Sequence, residues 1–123
     1  MDRLQIFGAT PSPYTQKMLS LLRYRRIPYD IHWGETKTRL ESLNLELPKP
    51  ILLPVILFEG DDQKLVATTD STPMLRKIES TYAQRKVIPD DPALAFINYL
   101  LEDFGDEWIT KYMFHYRWHF KDD

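Results

Sequence analysis

Cysteine is missing altogether from the 123-residue chain. That removes a disulfide framework, a thiolate metal site and a cysteine nucleophile in one step. The lack fits a reducing compartment. The first residues, MDRLQIFGATPS, carry an acid beside a base and no long apolar run, so neither a signal nor a transit peptide is expected there and the expected location is cytoplasmic. No stretch approaches 18 apolar residues in a row, so no membrane span is expected. Charge of one sign is scarce as well: 16 basic against 18 acidic side chains leave a net charge of −2, too little to draw nucleic acid or an anionic membrane through a long-range field. There is no internal repeat and no low-complexity segment.

What is present is ordinary for a globular protein: 43% hydrophobic and 28% charged residues, in a length that suits one core. Leu4–Phe7 (LQIF) is a short apolar run ended by Gly8, which predicts a buried strand. A helix is predicted from about Tyr14 to Arg25, with Tyr14, Met18, Leu21 and Leu22 as its apolar face. Lys17, Arg23, Arg25 and Arg26 read as a solvated basic face. Pro28 blocks continuation, and Tyr29–Trp33 (YDIHW) predicts a second strand. Residues 35–44 are weakly helical around Leu40 and Leu43. After the proline-stiffened PKPILLP, residues 54–68 read as a hairpin with its turn at GDD. DSTPMLRKIES then opens a helix capped by Asp70 or Ser71, with Pro73 tolerated in its first turn. VIPDDP is a linker, and one long helix is predicted over about 93–120.

The order is β-α-β-α-β-β-α, a linker and a helix. Strands joined through a helix favour a parallel, right-handed pair, whereas strands close in sequence favour an antiparallel hairpin. A mixed four-stranded sheet with three helices is therefore predicted for residues 1–83. Residues 84–92 link it to a helical portion over 93–123.

Certain side chains suggest chemistry. Ser12 stands between Pro11 and Pro13 at the mouth of the first helix, where free N–H groups and the positive end of the helix dipole favour an anion. An N-cap explains the same serine without any ligand. Pro54 suits the first residue of a strand. Asp70 and Ser71 are both good caps. Lys37, Arg39 and Lys49 are surface cations by default. Trp108, Tyr112 and Tyr116 recur every four residues and so share a helix face. His115 and His119 are spaced like a metal pair, but no HExxH acid accompanies them, and no metal site is expected.

Ser12-Pro13-Tyr14-Thr15 after the first strand, Leu53-Pro54 opening the third and Asp70-Ser71 after the fourth together resemble the thioredoxin fold, and within it the glutathione S-transferase family. The related glutaredoxins carry Cys-Pro-Tyr-Cys at the first of these places. The resemblance covers about residues 3–83 and continues through VIPDDP into the first helix of the family's all-helical second domain. It implies glutathione as co-substrate. Ser12 would donate a hydrogen bond to its thiolate. A cis Pro54 would let the Leu53 backbone pair with the cysteinyl residue. Asp70 would meet the γ-glutamyl ammonium, Ser71 the adjoining carboxylate, and Lys49, with Lys37 and Arg39 as alternatives, the glycyl carboxylate. Trp108, Tyr112 and Tyr116 would line a pocket for a small apolar electrophile. Packing against a neighbouring helix accounts for them equally well.

The family's helical domain has several helices, and here only one follows the linker. The helical domain is thus read as truncated, with an apolar face left for a homo-oligomer to cover. The expected function is conjugation of glutathione to a small apolar electrophile, weakened by the short helical portion. The alternative is a non-catalytic glutathione-binding or assembly module on the same fold. A dithiol reductase is disfavoured by the missing cysteines.

Overall fold

The computed structural model describes residues 3–120; the expected domain limits at residues 1 and 123 lie outside them. The chain forms two compact units, one ending at Lys86 and the other beginning at Val87.

In the first unit, β1 (Leu4–Gly8), α1 (Pro13–Arg25), β2 (Tyr29–Trp33), α2 (Thr36–Ser42), β3 (Val55–Glu59), β4 (Leu65–Thr68) and α3 (Ser71–Thr81) follow the anticipated order. The sheet runs β2-β1-β3-β4. β1 pairs parallel with β2, and antiparallel β3 pairs with both β1 and β4. α1 stops where Arg26 turns left-handed at φ 57° and its N–H returns to the Arg23 carbonyl, with Pro28 two residues on.

Side chains alternate across a strand, so the sheet has two distinct faces. Phe7, Val55 and Leu57 bury one face with Leu40 of α2, rimmed by Leu45, Leu47, Ile51, Leu65 and Ala67. The opposite face carries Leu4, Ile6 and Ile56, while α1 and α3 supply the fully buried Met18, Leu19, Leu22, Met74 and Ile78. Lys77 of α3 lies 4.7 Å from the Phe58 ring centroid, on this same face. At the β2 edge a polar ladder crosses the strands. Arg3 Nε donates to Asp30 at 2.8 Å, Gln5 Nε2 donates to Asp30 at 3.0 Å, and His32 Nε2 lies 2.7 Å from Gln5 Oε1.

Two expectations about α1 need correction. Its buried face is Thr15, Met18, Leu19, Leu21, Leu22 and Arg25, and Tyr14 is only half-buried. Arg25 is not a solvated charge: it is 3% exposed, paired with Glu79 at 8%, and its guanidinium also donates to the Tyr82 and Gln84 carbonyls. A buried charge is tolerated only with such partners, and they lie more than fifty residues away, beyond the reach of a local pattern.

In the second unit the chain is helical from Pro92 to Trp118, with Asp91 Oδ1 capping by accepting from the Leu94 N–H at 2.9 Å. The helix is not uniform. α4 (Pro92–Asp103) passes through a π-helical stretch, Phe104–Ile109, into α5 (Thr110–Trp118). A wider turn rotates every later side chain relative to a constant 3.6-residue period. The single stripe predicted from Phe96 to Trp108 therefore does not run straight. Among the described residues of this unit none is fully buried.

Candidate active site

The register of the sheet brings three loops to one end. β3 starts at Val55, which pairs with Phe7, and the last pair of β4 is Thr68 with Ile56. The chain beyond Gly8, the chain before Val55 and the chain after Thr68 consequently meet at the same level. Ser12, Leu53–Pro54 and Asp70–Ser71 lie in those three segments.

Ser12 has extended backbone (φ −77°, ψ 117°), and its Oγ accepts from the Thr15 N–H at 3.2 Å. Its surroundings are fixed by short bonds. The Ser12 N–H donates to the Ala9 carbonyl at 3.0 Å, and the Gln16 amide donates to the Thr10 carbonyl at 3.0 Å. Behind the loop, Gly8 packs so closely on fully buried Thr15 that an added Cβ would come within 2.6 Å of its Cγ2. Only glycine fits where β1 passes under the start of α1. The cap therefore exists as a cap. A hydroxyl that accepts still carries one O–H donor, so capping and donation to a ligand are compatible.

Both Leu53–Pro54 and Lys49–Pro50 are cis. Pro54 is fully buried and Leu53 half-buried. The Thr69 hydroxyl donates to the Leu52 carbonyl at 2.6 Å, which ties the proline loop to the loop before α3. Leu53 precedes the first laddered residue of β3, so its backbone lies outside the strand pairing.

Asp70 caps α3, accepting from the Thr72 N–H at 3.3 Å, and does so at φ 74°, ψ 116°. This is a sparsely populated conformation for a residue with a side chain, costing on the order of 1–3 kcal/mol. The Asp70 carboxylate is exposed, whereas Ser71 is only 4% exposed. Lys17 of α1 reaches Ser71 across the helices, its Nζ donating to Oγ at 3.0 Å. Pattern reading missed this contact because a lysine at a helix surface carries no sign of its partner.

Lys49 is exposed and lines a cavity of about 250 Å³ with Glu46, Leu47, Pro48, Val66 and Ala67. Lys37 makes an exposed 3.9 Å pair with Glu41 one helical turn on. Trp108, Tyr112 and Tyr116 belong to the second unit, each more than half exposed, and Lys111 Nζ lies 4.3 Å from the Trp108 ring centroid. His115 and His119 stack on one another at 4.7 Å. Among the described residues no three potential metal ligands cluster, and no helix is long and apolar enough to cross a membrane.

A family model described as glutathione S-transferase, N-terminal domain, matches residues 6–86. Solved structures share the fold at low identity. A glutathione S-transferase from Methylobacterium radiotolerans, in complex with glutathione sulfonate, has 21% identity and a TM-score of 0.69 over 85% of this chain and 47% of its own. A maleylacetoacetate isomerase from Anaeromyxobacter dehalogenans, with bound dicarboxyethyl glutathione and citrate, has 13% identity and a TM-score of 0.66 over 85% and 46%. Glutathione transferase Omega 1C from Trametes versicolor has 14% identity and a TM-score of 0.70 over 94% and 52%. No curated protein matches the chain. The chain spans about half the length of these solved structures. With the mixed four-stranded sheet, the helices around it and the family match over more than half its length, the chain belongs to the glutathione S-transferase family and has its thioredoxin-like fold.

Proposed function

We propose that this chain binds glutathione at the end of the sheet where Ser12, Leu53–Pro54 and Asp70–Ser71 converge, stabilises its thiolate, and transfers it to a small apolar electrophile. The observation that carries the reading is that convergence, produced by strand register from three segments far apart in sequence. Ser12 donates its hydroxyl proton toward the sulfur while its oxygen keeps the cap. The Leu53 backbone, outside the ladder, pairs with the cysteinyl residue as an added strand does. Exposed Asp70 takes the γ-glutamyl ammonium, and Ser71 with the α3 N–H groups takes the adjoining carboxylate. Lys49, on its cavity, is the cation for the glycyl carboxylate.

A hydrogen bond to a charged group is worth about 1.5–3 kcal/mol, or roughly one to two pKa units. Ser12→Ala is therefore expected to raise the pKa of the bound thiol by that amount and to leave glutathione affinity nearly unchanged. Thiolate absorbance against pH measures the first and calorimetry the second. Absence of glutathione binding by the unaltered chain would refute the reading.

A non-catalytic glutathione-binding or assembly role is the second reading. It is favoured by the exposure of Trp108, Tyr112 and Tyr116, which are not walled off from water. Turnover of an activated aryl chloride by a chain that binds glutathione separates the two. The family's activity also implies a cytoplasmic setting, in keeping with a chain that has no cysteine. Self-association through Phe96, Leu100, Leu101, Phe104 and Trp108 follows from their exposure, since burying each large side chain is worth about 1.5–3 kcal/mol. A monomer by sedimentation at tens of micromolar, on the order needed to populate a modest interface, would refute that part.

A further inference from the structure

The chain holds three histidines and no cysteine, and two of the three stand together. His115 lies in the last turn of α5 and His119 follows its end, with the His119 N–H donating to the His115 carbonyl at 3.0 Å. Residues four apart in such a turn share a face, and the two imidazoles stack with centroids 4.7 Å apart and planes 23° from parallel. Phe120 sets its ring against both, at 5.6 Å from His115 and 5.1 Å from His119, and Tyr116 adds an edge contact to His115 at 5.2 Å. Both histidines are exposed, so an ion in solution can reach them. Lys111, one turn earlier on the same face, turns its ammonium back onto Trp108, 4.3 Å from the ring centroid.

We propose that His115 and His119 chelate one divalent transition-metal ion, with water in its remaining positions. Imidazole suits zinc, copper and nickel, and metal–nitrogen bonds of about 2.0–2.1 Å put two donors roughly 3 Å apart around one ion. Rings already in contact reach that spacing by tilting their nitrogen edges together. The acid of HExxH serves as general base in zinc proteases. A two-histidine chelate has no use for it, so the expectation of no metal site, drawn from that missing acid, does not extend to such a chelate. By the general order of affinity at nitrogen sites, Cu2+ binds more tightly than Ni2+ or Zn2+.

The test titrates Cu2+ into the full chain by calorimetry, with glycine as a competing chelator. Chelation makes the second bond intramolecular, which strengthens binding by roughly 10²–10⁴-fold over a single ligand. His115→Ala and His119→Ala are therefore each expected to weaken Cu2+ binding by about a hundredfold or more, and the double variant to be little worse than either. His32→Gln, which alters the third histidine, on β2, should leave binding unchanged. The exchange His119→Phe with Phe120→His keeps the composition but moves one imidazole about 100° around the helix, and it should bind as weakly as the single variants. Far-UV circular dichroism confirms that the helix persists in each, and the alanine variants decide if the exchange disrupts it. Full affinity in either alanine variant or in the exchanged chain would overturn the chelate, as would an unaltered chain that binds Cu2+ no more tightly than the double variant.

Discussion

Replacing Arg25 by methionine should cost the first unit a large share of its stability. The side chain is fully enclosed, with Glu79 8% exposed beside it and the Tyr82 and Gln84 carbonyls as further acceptors. The variant leaves a carboxylate buried without its counter-charge, for which about 3–5 kcal/mol is the usual cost. An exposed pair such as Lys37–Glu41, at 3.9 Å, contributes about 0.3–0.5 kcal/mol on the same physics. Against a typical total of about 5–15 kcal/mol, the larger figure is a large share. The double variant Arg25→Met, Glu79→Leu removes the stranded charge and should recover part of the loss. It should not recover all of it, because the Tyr82 carbonyl loses its Arg25 donor, at roughly 1–3 kcal/mol for a group left dry. The expected order in urea unfolding is unaltered chain, then double variant, then Arg25→Met. A single variant within about 1 kcal/mol of the unaltered chain would refute the reasoning, since that is the ceiling for a solvated pair.

Three further outcomes are expected. Gly8→Ala forces a methyl to within 2.6 Å of Thr15 and should cost about 1–3 kcal/mol as overpacking does; Thr15→Ala in the same chain should relieve much of it, read by urea midpoints. Asp70→Gly removes the strain at φ 74° while a glycine cap loses only a few tenths of a kcal/mol, so the midpoint should rise by roughly 1 kcal/mol while calorimetry shows weaker glutathione binding; lower stability would refute the strain. The hydrogen bond from Gln5, and then that from Arg3, holds the Asp30 carboxyl below its ordinary 3.8. A lowered carboxyl stabilises the fold above its unfolded value and loses that contribution as pH falls through the folded one, so Asp30→Asn should flatten the acid limb of stability below about pH 4.

Element order and sheet sense were legible because they follow from apolar runs, prolines and connection lengths. LQIF, YDIHW and VILF announce strands, and a helix between the first two requires the parallel pair. The caps Ser12 and Asp70 were legible too, since both have the chemistry caps need, whereas Asp91, read as part of a linker, caps α4. What patterning missed is polar and long-range. Thr15 is fully buried because Gly8 makes room for it, and Arg25 because Glu79 follows 54 residues later. A periodicity that counts only apolar residues assigns both to solvent and gives Tyr14 a place in the core. The π-helical stretch from Phe104 to Ile109 was hidden for another reason. Gly105 is its one local irregularity in composition, and a glycine alone does not specify a change of period.

The two inward cations of α1 are related by geometry. Lys17 meets Ser71 and Arg25 meets Glu79, and each pair is separated by 54 residues. Along both helices the two contacts are therefore eight residues apart, about 12 Å at 1.5 Å per residue. α1 and α3 run parallel, pinned near both ends. One pin fixes a point and leaves a helix free to swing; two fix its translation and its rotation about the partner. That sets where the start of α1, with Ser12, stands relative to the start of α3, with Asp70 and Ser71. The buried pair supplies the contact at the far end, and the Lys17–Ser71 hydrogen bond the contact at the near end. On the proposed glutathione site, Arg25, though it lies two turns of helix beyond Lys17, would act as a positioning residue. An Arg25→Lys variant that stays folded is expected to weaken glutathione, read by calorimetry. A folded Arg25→Lys chain that binds glutathione with full affinity would show that the far pin stabilises α1 without aligning it.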